Sequence, residues 1–154
     1  MGQVVADVNQ WSDVLQSFPH LLTDEAPRGY HQAVLVAALM ESGMNIGPTK
    51  MAQACDFSEQ ELMNSAEWHL REETLRQAIA KLDNFVLHHP FSRHWGRGIT
   101  SSSDGMRVPV TVNAPNAIYN ARHFWYRRGI TIVAHASDIW MPFYPQVMED
   151  TSEA

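Results

Sequence analysis

One carboxylate, Asp104, stands between three serines and a glycine in residues 101–105, which read SSSDG. An Asp in such a setting commonly forms a turn, because its short side chain hydrogen-bonds to its own backbone. The flanks favour strands, with Ile99 before the stretch and Val108 and Val110 after it. A carboxylate at the end of a strand can instead bind Mg2+, an ion that takes oxygen ligands and serves phosphoryl transfer in pairs. The residues alone leave both interpretations open.

Three histidines precede this stretch: His88, His89 and His94 lie within seven residues, ten residues before Asp104. Zinc hydrolases bind their metal through His and carboxylate side chains and keep one position open. The spacing matches no compact metal motif, and it spans a helix end at which the helix dipole favours histidine. Two hypotheses therefore stand for these histidines. They bind zinc in a hydrolase, or they are solvated residues at the end of a helix.

The charge is unevenly distributed along the chain. The net charge is −6, which argues against general nucleic-acid binding, but residues 91–130 hold six arginines and one acid, a net charge of +5. Aromatic residues interrupt the same segment, and Arg with aromatic side chains suits phosphate contact and base stacking. The alternative to nucleic-acid binding is that the arginines lie on a solvated strand face and the aromatic residues are buried. We assign DNA binding to five of these arginines: Arg97, Arg107, Arg122, Arg127 and Arg128.

Composition predicts a globular protein of 154 residues, 45% hydrophobic and 18% charged. The longest apolar run, residues 33–40, is far below the roughly 18–20 residues of a membrane span. Residues 1–10 lack the pattern of a secretory signal, and the single cysteine, Cys55, excludes an internal disulfide. We therefore expect a cytoplasmic protein without a membrane partner.

Hydrophobic periodicity predicts helices in the first part of the chain and strands in the second. Helical spacing covers about 4–15, 30–42, 49–54 and 62–87, with a break near His69, and Ser58 with Glu61 fits a capping box. After Pro90, strands are predicted at 98–104, 107–113 and 130–136, while 114–128 is left unassigned. We predict the α+β class, with a helical region over 1–92 and a sheet in 93–154.

Several longer stretches resemble the DDE domain of Tn3-family transposases, in the same order and over about residues 3–148. They are DVNQW at 7–11, GMNIGPTKMAQAC at 43–55, EWHLREET at 67–74, HWGRGITSSSDG at 94–105 and AHASDIWMPF at 134–143. The combination is specific, although each stretch alone is weak. This chain has Arg97, Ile99 and Met106 where the family usually has an acidic or small residue, Thr and Gln.

The resemblance implies an RNase H-like fold preceded by helices. It also implies three acidic residues that bind Mg2+ and catalyse the cutting and joining of transposon ends, the DNA partner. The first of the three is the aspartate of SSSDG, so Asp104 is implied to be catalytic and metal-binding. His135 and Asp138 match a family pattern of the form T-H-x-S-D, and no catalytic role is carried over for them.

In the family the second Asp and the Glu come well downstream of this pattern. We therefore expect a C-terminally truncated DDE domain with an incomplete RNase H-like mixed sheet. One carboxylate offers at most two oxygens, too few to fix two Mg2+ ions, so we expect the chain to be inactive alone. The alternative is a non-catalytic regulator that binds DNA or full-length transposase.

Overall fold

The computed structural model describes residues 2–111 and 117–149. It divides into two compact units, Met1–Leu82 and Asp83–Ala154. The order of elements is helices first and an antiparallel sheet second, which confirms the predicted α+β class. None of the helices in the described ranges is long and apolar enough to cross a membrane.

The first unit is helical. It contains α1 (Gly2–Ser12), a 3-10 turn (Val14–Ser17), α2 (Tyr30–Gly43), α3 (Pro48–Ala54), α4 (Glu59–His69) and most of α5 (Glu72–His88). The helical spacing predicted all of these helices. The long pattern over 62–87 is broken at the predicted place, because α4 ends at His69 and α5 begins three residues later.

Local hydrogen bonds explain where α4 and α5 begin. The Ser58 hydroxyl accepts from the backbone N–H of Glu61 at 3.3 Å, and the Glu61 carboxylate accepts from the N–H of Ser58 at 2.9 Å, which confirms the capping box. At the next helix start the Thr74 hydroxyl accepts from the Arg71 N–H at 3.0 Å and donates to the His69 carbonyl at 2.8 Å.

Two apolar clusters form the core of this unit, and α2 contributes to both. Leu35 packs with Val14, Leu15 and Phe18 in one cluster. The other cluster contains Val34, Ala37, Met51 and Leu62. Burial of each large aliphatic side chain stabilises the fold by about 1.5–3 kcal/mol, so this unit has a core of its own.

The second unit holds the sheet. A 3-10 helix (Pro90–His94) follows α5, and then come β1 (Ser101–Val110), β2 (Ile118–Tyr119), α6 (Ala121–Phe124), β3 (Arg128–Ser137) and β4 (Pro142–Glu149). All pairings of the described strands are antiparallel. β3 is central, since Ile130 pairs with Val108 of β1 on one side and Glu149 of β4 on the other.

The predicted strands 98–104 and 107–113 are one strand, β1, and residues 112 and 113 of the second lie outside the described residues. Asp104 is therefore neither a turn residue nor at a strand end, because it pairs with Ala134 in the middle of the β1–β3 ladder. Continuous pairing with β3 overrides the local turn preference of the Ser and Gly residues.

Strand β4 was not predicted, because its first residue and Pro145 are prolines, which lack the N–H that a ladder needs. Its edge position tolerates both prolines. The predicted strand 130–136 is confirmed within β3. The segment 114–128, for which no element was predicted, contains β2 and α6 among its described residues.

Candidate functional site

Asp104 is held on the exposed edge strand β1. Its side chain is exposed, and one carboxylate oxygen accepts a hydrogen bond from the backbone N–H of Gly105 at 2.8 Å. Because side chains alternate along a strand, Asp104 shares a face of the sheet with Ser102, Met106 and the opposite residue Ala134. The backbone of Asp104 is thus fixed by the ladder, and its second carboxylate oxygen faces solvent.

The opposite face of the same two strands carries a polar pair. The Ser103 hydroxyl lies 2.6 Å from Nδ1 of His135, its cross-strand partner. The His135 ring stacks on Phe143 of β4, with ring centroids 5.7 Å apart. The pair ties β1, β3 and β4 together immediately beside Asp104.

Asp138 is the main anchor for the chain that leads into β1. Its carboxylate accepts hydrogen bonds from the backbone N–H groups of Arg97 at 3.2 Å and Gly98 at 2.7 Å, and from the Thr100 hydroxyl at 3.0 Å. Its own N–H donates to the Thr100 carbonyl at 3.0 Å. Desolvation raises the pKa of Asp138, but these hydrogen bonds outweigh it and hold the pKa below its usual value.

Two glycines make this anchor possible. A Cβ atom at Gly96 would collide with the Asp138 side chain, and Gly98 has a φ of +71°, which glycine adopts without strain. The stretch WGRG at residues 95–98 is therefore shaped to wrap around the Asp138 carboxylate. We infer that Asp138 positions β1, and no function was predicted for it from the sequence.

The five arginines assigned to DNA binding are all exposed, but they do not form one stripe. Arg107 lies three residues after Asp104 and so on the other face of β1. Arg128 is opposite Val110, which is six residues along β1 from Asp104, or about 20 Å. Three of the five, Arg122, Arg127 and Arg128, cluster in sequence around α6 and the start of β3.

The aromatic residues of the same segment are mostly exposed. Trp95 is 58% exposed, Trp125 77% and Tyr126 86%, whereas Phe124 is buried. The alternative of a strand face with buried aromatics therefore holds for Phe124 only. Exposed aromatic rings between arginines are what base stacking requires.

The side chains in the described ranges do not complete a two-Mg2+ centre. No group of three or more His, Cys, Asp or Glu side chains among them is placed to hold a metal ion. Asp138 cannot bind a metal ion together with Asp104, because its oxygens accept hydrogen bonds from the loop before β1. One of these donors, Thr100, is four residues from Asp104, which is about 13 Å along an extended chain. No catalytic step can be derived from Asp104 alone.

None of the three histidines belongs to a group of possible metal ligands among the described residues, so the structure does not support a zinc hydrolase. Nδ1 of His88 lies 2.7 Å from the Asn84 carbonyl, and Nδ1 of His89 accepts from the Phe91 N–H at 3.3 Å. The His94 ring packs against Phe91, with centroids 5.6 Å apart.

Comparison with known proteins gives one consistent result. The model of the family described as the Tn3 transposase DDE domain matches residues 3–154. Similar proteins include the transposase for transposon Tn1546 of Enterococcus faecium, 34% identical over 99% of this chain, and that for Tn21 of Escherichia coli, 30% identical over 95%. The transposase for transposon gamma-delta of Escherichia coli is 28% identical over 98% of the chain. The chain spans 15% of the length of each of these relatives.

Proposed function

Because the chain belongs to the Tn3 transposase DDE domain family, we propose that it supplies the first acidic residue, Asp104, of a Mg2+-dependent site for DNA cleavage and strand transfer. The observation that carries the proposal is the exposed carboxylate of Asp104 on a strand that Asp138 and the Ser103–His135 pair hold in place. Mg2+, when bound by a complete set of carboxylates, supplies charge stabilisation at the reacting phosphorus.

The chain's own residues contribute a fixed ligand and a surface for DNA. The β1–β3 ladder orients Asp104, and the exposed Arg122, Arg127 and Arg128 lie near Trp125 and Tyr126 in the sequence. These arginines attract the DNA backbone by releasing counterions. We propose that the chain binds transposon-end DNA and is inactive by itself, since Asp104 alone cannot fix two metal ions.

The DNA-binding part of the proposal is tested by fluorescence anisotropy with a labelled transposon-end duplex over a range of salt concentrations. Replacement of both Arg127 and Arg128 by Ala weakens binding and lowers the salt slope by about 0.9 for each lost phosphate contact. The matched control is Asp104→Ala, which retains the wild-type salt slope. Salt-independent binding, or equal slopes for all three proteins, contradicts the proposal.

The metal part of the proposal is tested by paramagnetic broadening of amide signals with Mn2+ as a stand-in for Mg2+. Broadening is expected at Gly105 and Ala134, next to Asp104, and it is lost in Asp104→Asn. Asp138→Asn is the control at a carboxylate whose oxygens are already hydrogen-bonded. Broadening at Gly105 that persists in Asp104→Asn excludes Asp104 as the ligand.

A second candidate function is a non-catalytic regulator that binds full-length transposase. The observation that favours it is the free edge of β1: among the described strands, β1 pairs with β3 alone, so its outer N–H and C=O groups can pair with another chain. Co-purification of this chain with full-length transposase, unchanged by Asp104→Ala, supports this function. Failure to co-purify at low salt excludes it.

A further inference from the structure

Three exposed aromatic rings form a continuous row in the second unit. The Trp95 ring centroid lies 6.4 Å from that of Phe91 and 6.3 Å from that of Trp140, with steep angles between the ring planes. Phe91 is 59% exposed, Trp95 58% and Trp140 75%. We call Phe91, Trp95 and Trp140 the aromatic row. Rings this exposed gain little from burial, so hydrophobic packing does not explain the arrangement.

Backbone contacts fix the row from both of its ends. The 3-10 helix that carries Phe91 is anchored by the buried Ser92, whose hydroxyl donates to the Val86 carbonyl, and the Trp95 N–H donates to the Ser92 carbonyl at 3.0 Å. Trp140 lies in the turn between β3 and β4, where its N–H donates to the Ser137 carbonyl at 2.9 Å. The rings are therefore presented by ordered backbone.

The backbone of Trp140 is in an unfavourable conformation. Its φ is +65°, in the left-handed region, which a bulky side chain rarely adopts and glycine adopts without steric strain. A strained residue persists where surrounding structure enforces it, and such residues cluster at functional sites. The Trp140 side chain is also three-quarters exposed, so it gains little from packing, and glycine at this position would relieve the backbone strain.

Two arginines, Arg93 and Arg97, lie close to the aromatic row in the sequence. Arg93 and Arg97 line a cavity of about 340 Å3 together with Gly96, the residue after Trp95, and Ile139, the residue before Trp140. Within the described part of the chain neither guanidinium makes an ion pair. Arg93 stands between Phe91 and Trp95 in the chain and Arg97 two residues after Trp95, and exposed rings with nearby arginines are complementary to nucleotides, which present a flat base and an anionic phosphate.

We propose that the aromatic row binds single-stranded DNA, with unpaired bases stacked on Trp95 and Trp140 and phosphates contacted by Arg93 and Arg97. Single strands are favoured over duplex because a paired base keeps both faces inside the helix stack, whereas an unpaired base can stack on an aromatic ring. The inference rests on the proposed DNA-binding function and adds to it a substrate form, the unpaired strand, and a location.

The decisive variant is Trp140→Gly in the full chain, because it removes the ring and relieves the positive φ. Anisotropy is measured with a labelled oligothymidine of about 20 nucleotides and with a duplex of equal length. Loss of one stacked base weakens single-strand binding by about five- to a hundredfold, whereas duplex binding changes less than twofold. The melting temperature is equal to that of the wild type or higher.

The control is Trp11→Ala. Trp11 is also an exposed tryptophan, at 65%, but it lies on α1 and is not part of the aromatic row or of the proposed DNA surface. Single-strand binding is expected to change less than twofold in this variant. An equal loss in both variants, or no loss in Trp140→Gly, overturns the inference.

A second readout keeps the test independent of any folding defect. An oligonucleotide that contains 2-aminopurine reports stacking through its fluorescence, which wild-type protein quenches and Trp95→Leu quenches less. Unaltered 2-aminopurine fluorescence on binding to the wild type overturns the inference. Absence of binding to both duplex and single strand refutes the proposed DNA-binding function as well, whereas retained duplex binding without a single-strand effect refutes the aromatic row alone.

Discussion

The two units of the molecule differ most in how much apolar surface they bury. Among the described residues, ten buried hydrophobic side chains lie in Met1–Leu82 and three, Ala117, Phe124 and Ile139, lie in Asp83–Ala154. In the helical unit Leu35 and Leu62 are completely buried, whereas the first seven residues of β1 are all exposed. The helical unit is thus stabilised by its own core, and the sheet unit mainly by its strand ladder and by side-chain hydrogen bonds.

This difference separates stability from function along the chain. The residues proposed to act on DNA, including Asp104 and the five arginines, are exposed residues of the sheet unit. The exposed residues of β1 and its edge, unpaired among the described strands, offer surface to a partner, such as DNA or further polypeptide. Substitutions in the helical unit should therefore change folding, and those in the sheet unit should change binding.

The largest effect is expected from Leu35→Ala. Leu35 of α2 is completely buried against Val14, Leu15 and Phe18, so truncation leaves a cavity and lowers the free energy of unfolding by about 2–5 kcal/mol. The control is Leu22→Ala, at a leucine of the same unit that is 74% exposed, with an effect within about 0.5 kcal/mol. Urea unfolding followed by circular dichroism measures both. Similar losses for the two variants contradict the assignment of the core.

A smaller loss is expected from Ser58→Ala, which removes the N-cap of α4. The free energy of unfolding falls by about 1 kcal/mol, because the N–H of Glu61 loses its acceptor. Ser58→Asp, which keeps an acceptor at the cap, should restore most of the loss in the same urea experiment. Failure of Asp to restore stability argues against the capping box as the cause.

Acid should act on the sheet unit through Asp138. The folded-state pKa of Asp138 lies below its unfolded value near 4, so its contribution is present above about pH 4 and is lost as pH falls through the folded pKa. The protection of the Gly98 amide from hydrogen exchange, taken relative to the intrinsic rate at each pH, should fall in that range, because this amide donates to Asp138. In Asp138→Ala, which has no acceptor, the Gly98 amide should lack this protection at every pH, and protection that still depends on pH as in the wild type contradicts the role given to Asp138.

Glu61 offers the matching acid titration in the helical unit. Hydrogen bonds from the Ser58 hydroxyl, the Tyr30 hydroxyl and the Ser58 N–H lower the pKa of Glu61 to about 2. Its contribution to stability is therefore present above about pH 4.5 and is lost as the pH falls towards about 2. The carboxyl carbon signals of Glu61 and Asp138, followed by NMR, report both titrations, and a Glu61 midpoint near 4 refutes the hydrogen-bond geometry.

The smallest effect on stability is expected from Asp104→Ala. The exposed Asp104 side chain bonds only to the N–H of the next residue, so the melting temperature should change by about 2 °C or less. A large destabilisation, measured by thermal unfolding, means that Asp104 supports the fold and weakens its assignment as a metal ligand.

Helices and the sheet differ in how far the sequence predicts them. The boundaries of α4 were predictable because Ser58, Glu61 and the break after His69 act within a few residues of one another. That β1 is a single strand could not be predicted in this way, because its pairing with β3 joins residues about 30 apart in the sequence and overrides a local turn preference. For the same reason Asp138 could not be identified as the partner of Arg97, Gly98 and Thr100, which lie 38–41 positions away.

The role of Asp104 was predicted by family resemblance and not by residue chemistry. Composition and spacing favoured a turn residue over a metal ligand at this position, and only the stretches in family order pointed to the ligand. The glycines of residues 95–98 were the available signal for the Asp138 anchor, since two glycines around one arginine indicate close packing against the backbone.

We propose that Asp104 belongs to a DNA-cleaving site that this chain does not complete alone. The most direct measurement incubates the purified chain with Mg2+ and a labelled transposon-end duplex, and resolves the DNA products on a denaturing gel, with Asp104→Asn in parallel. We expect uncut DNA with both proteins. Mg2+-dependent cleavage or strand transfer by the wild type that disappears in Asp104→Asn would contradict the proposal.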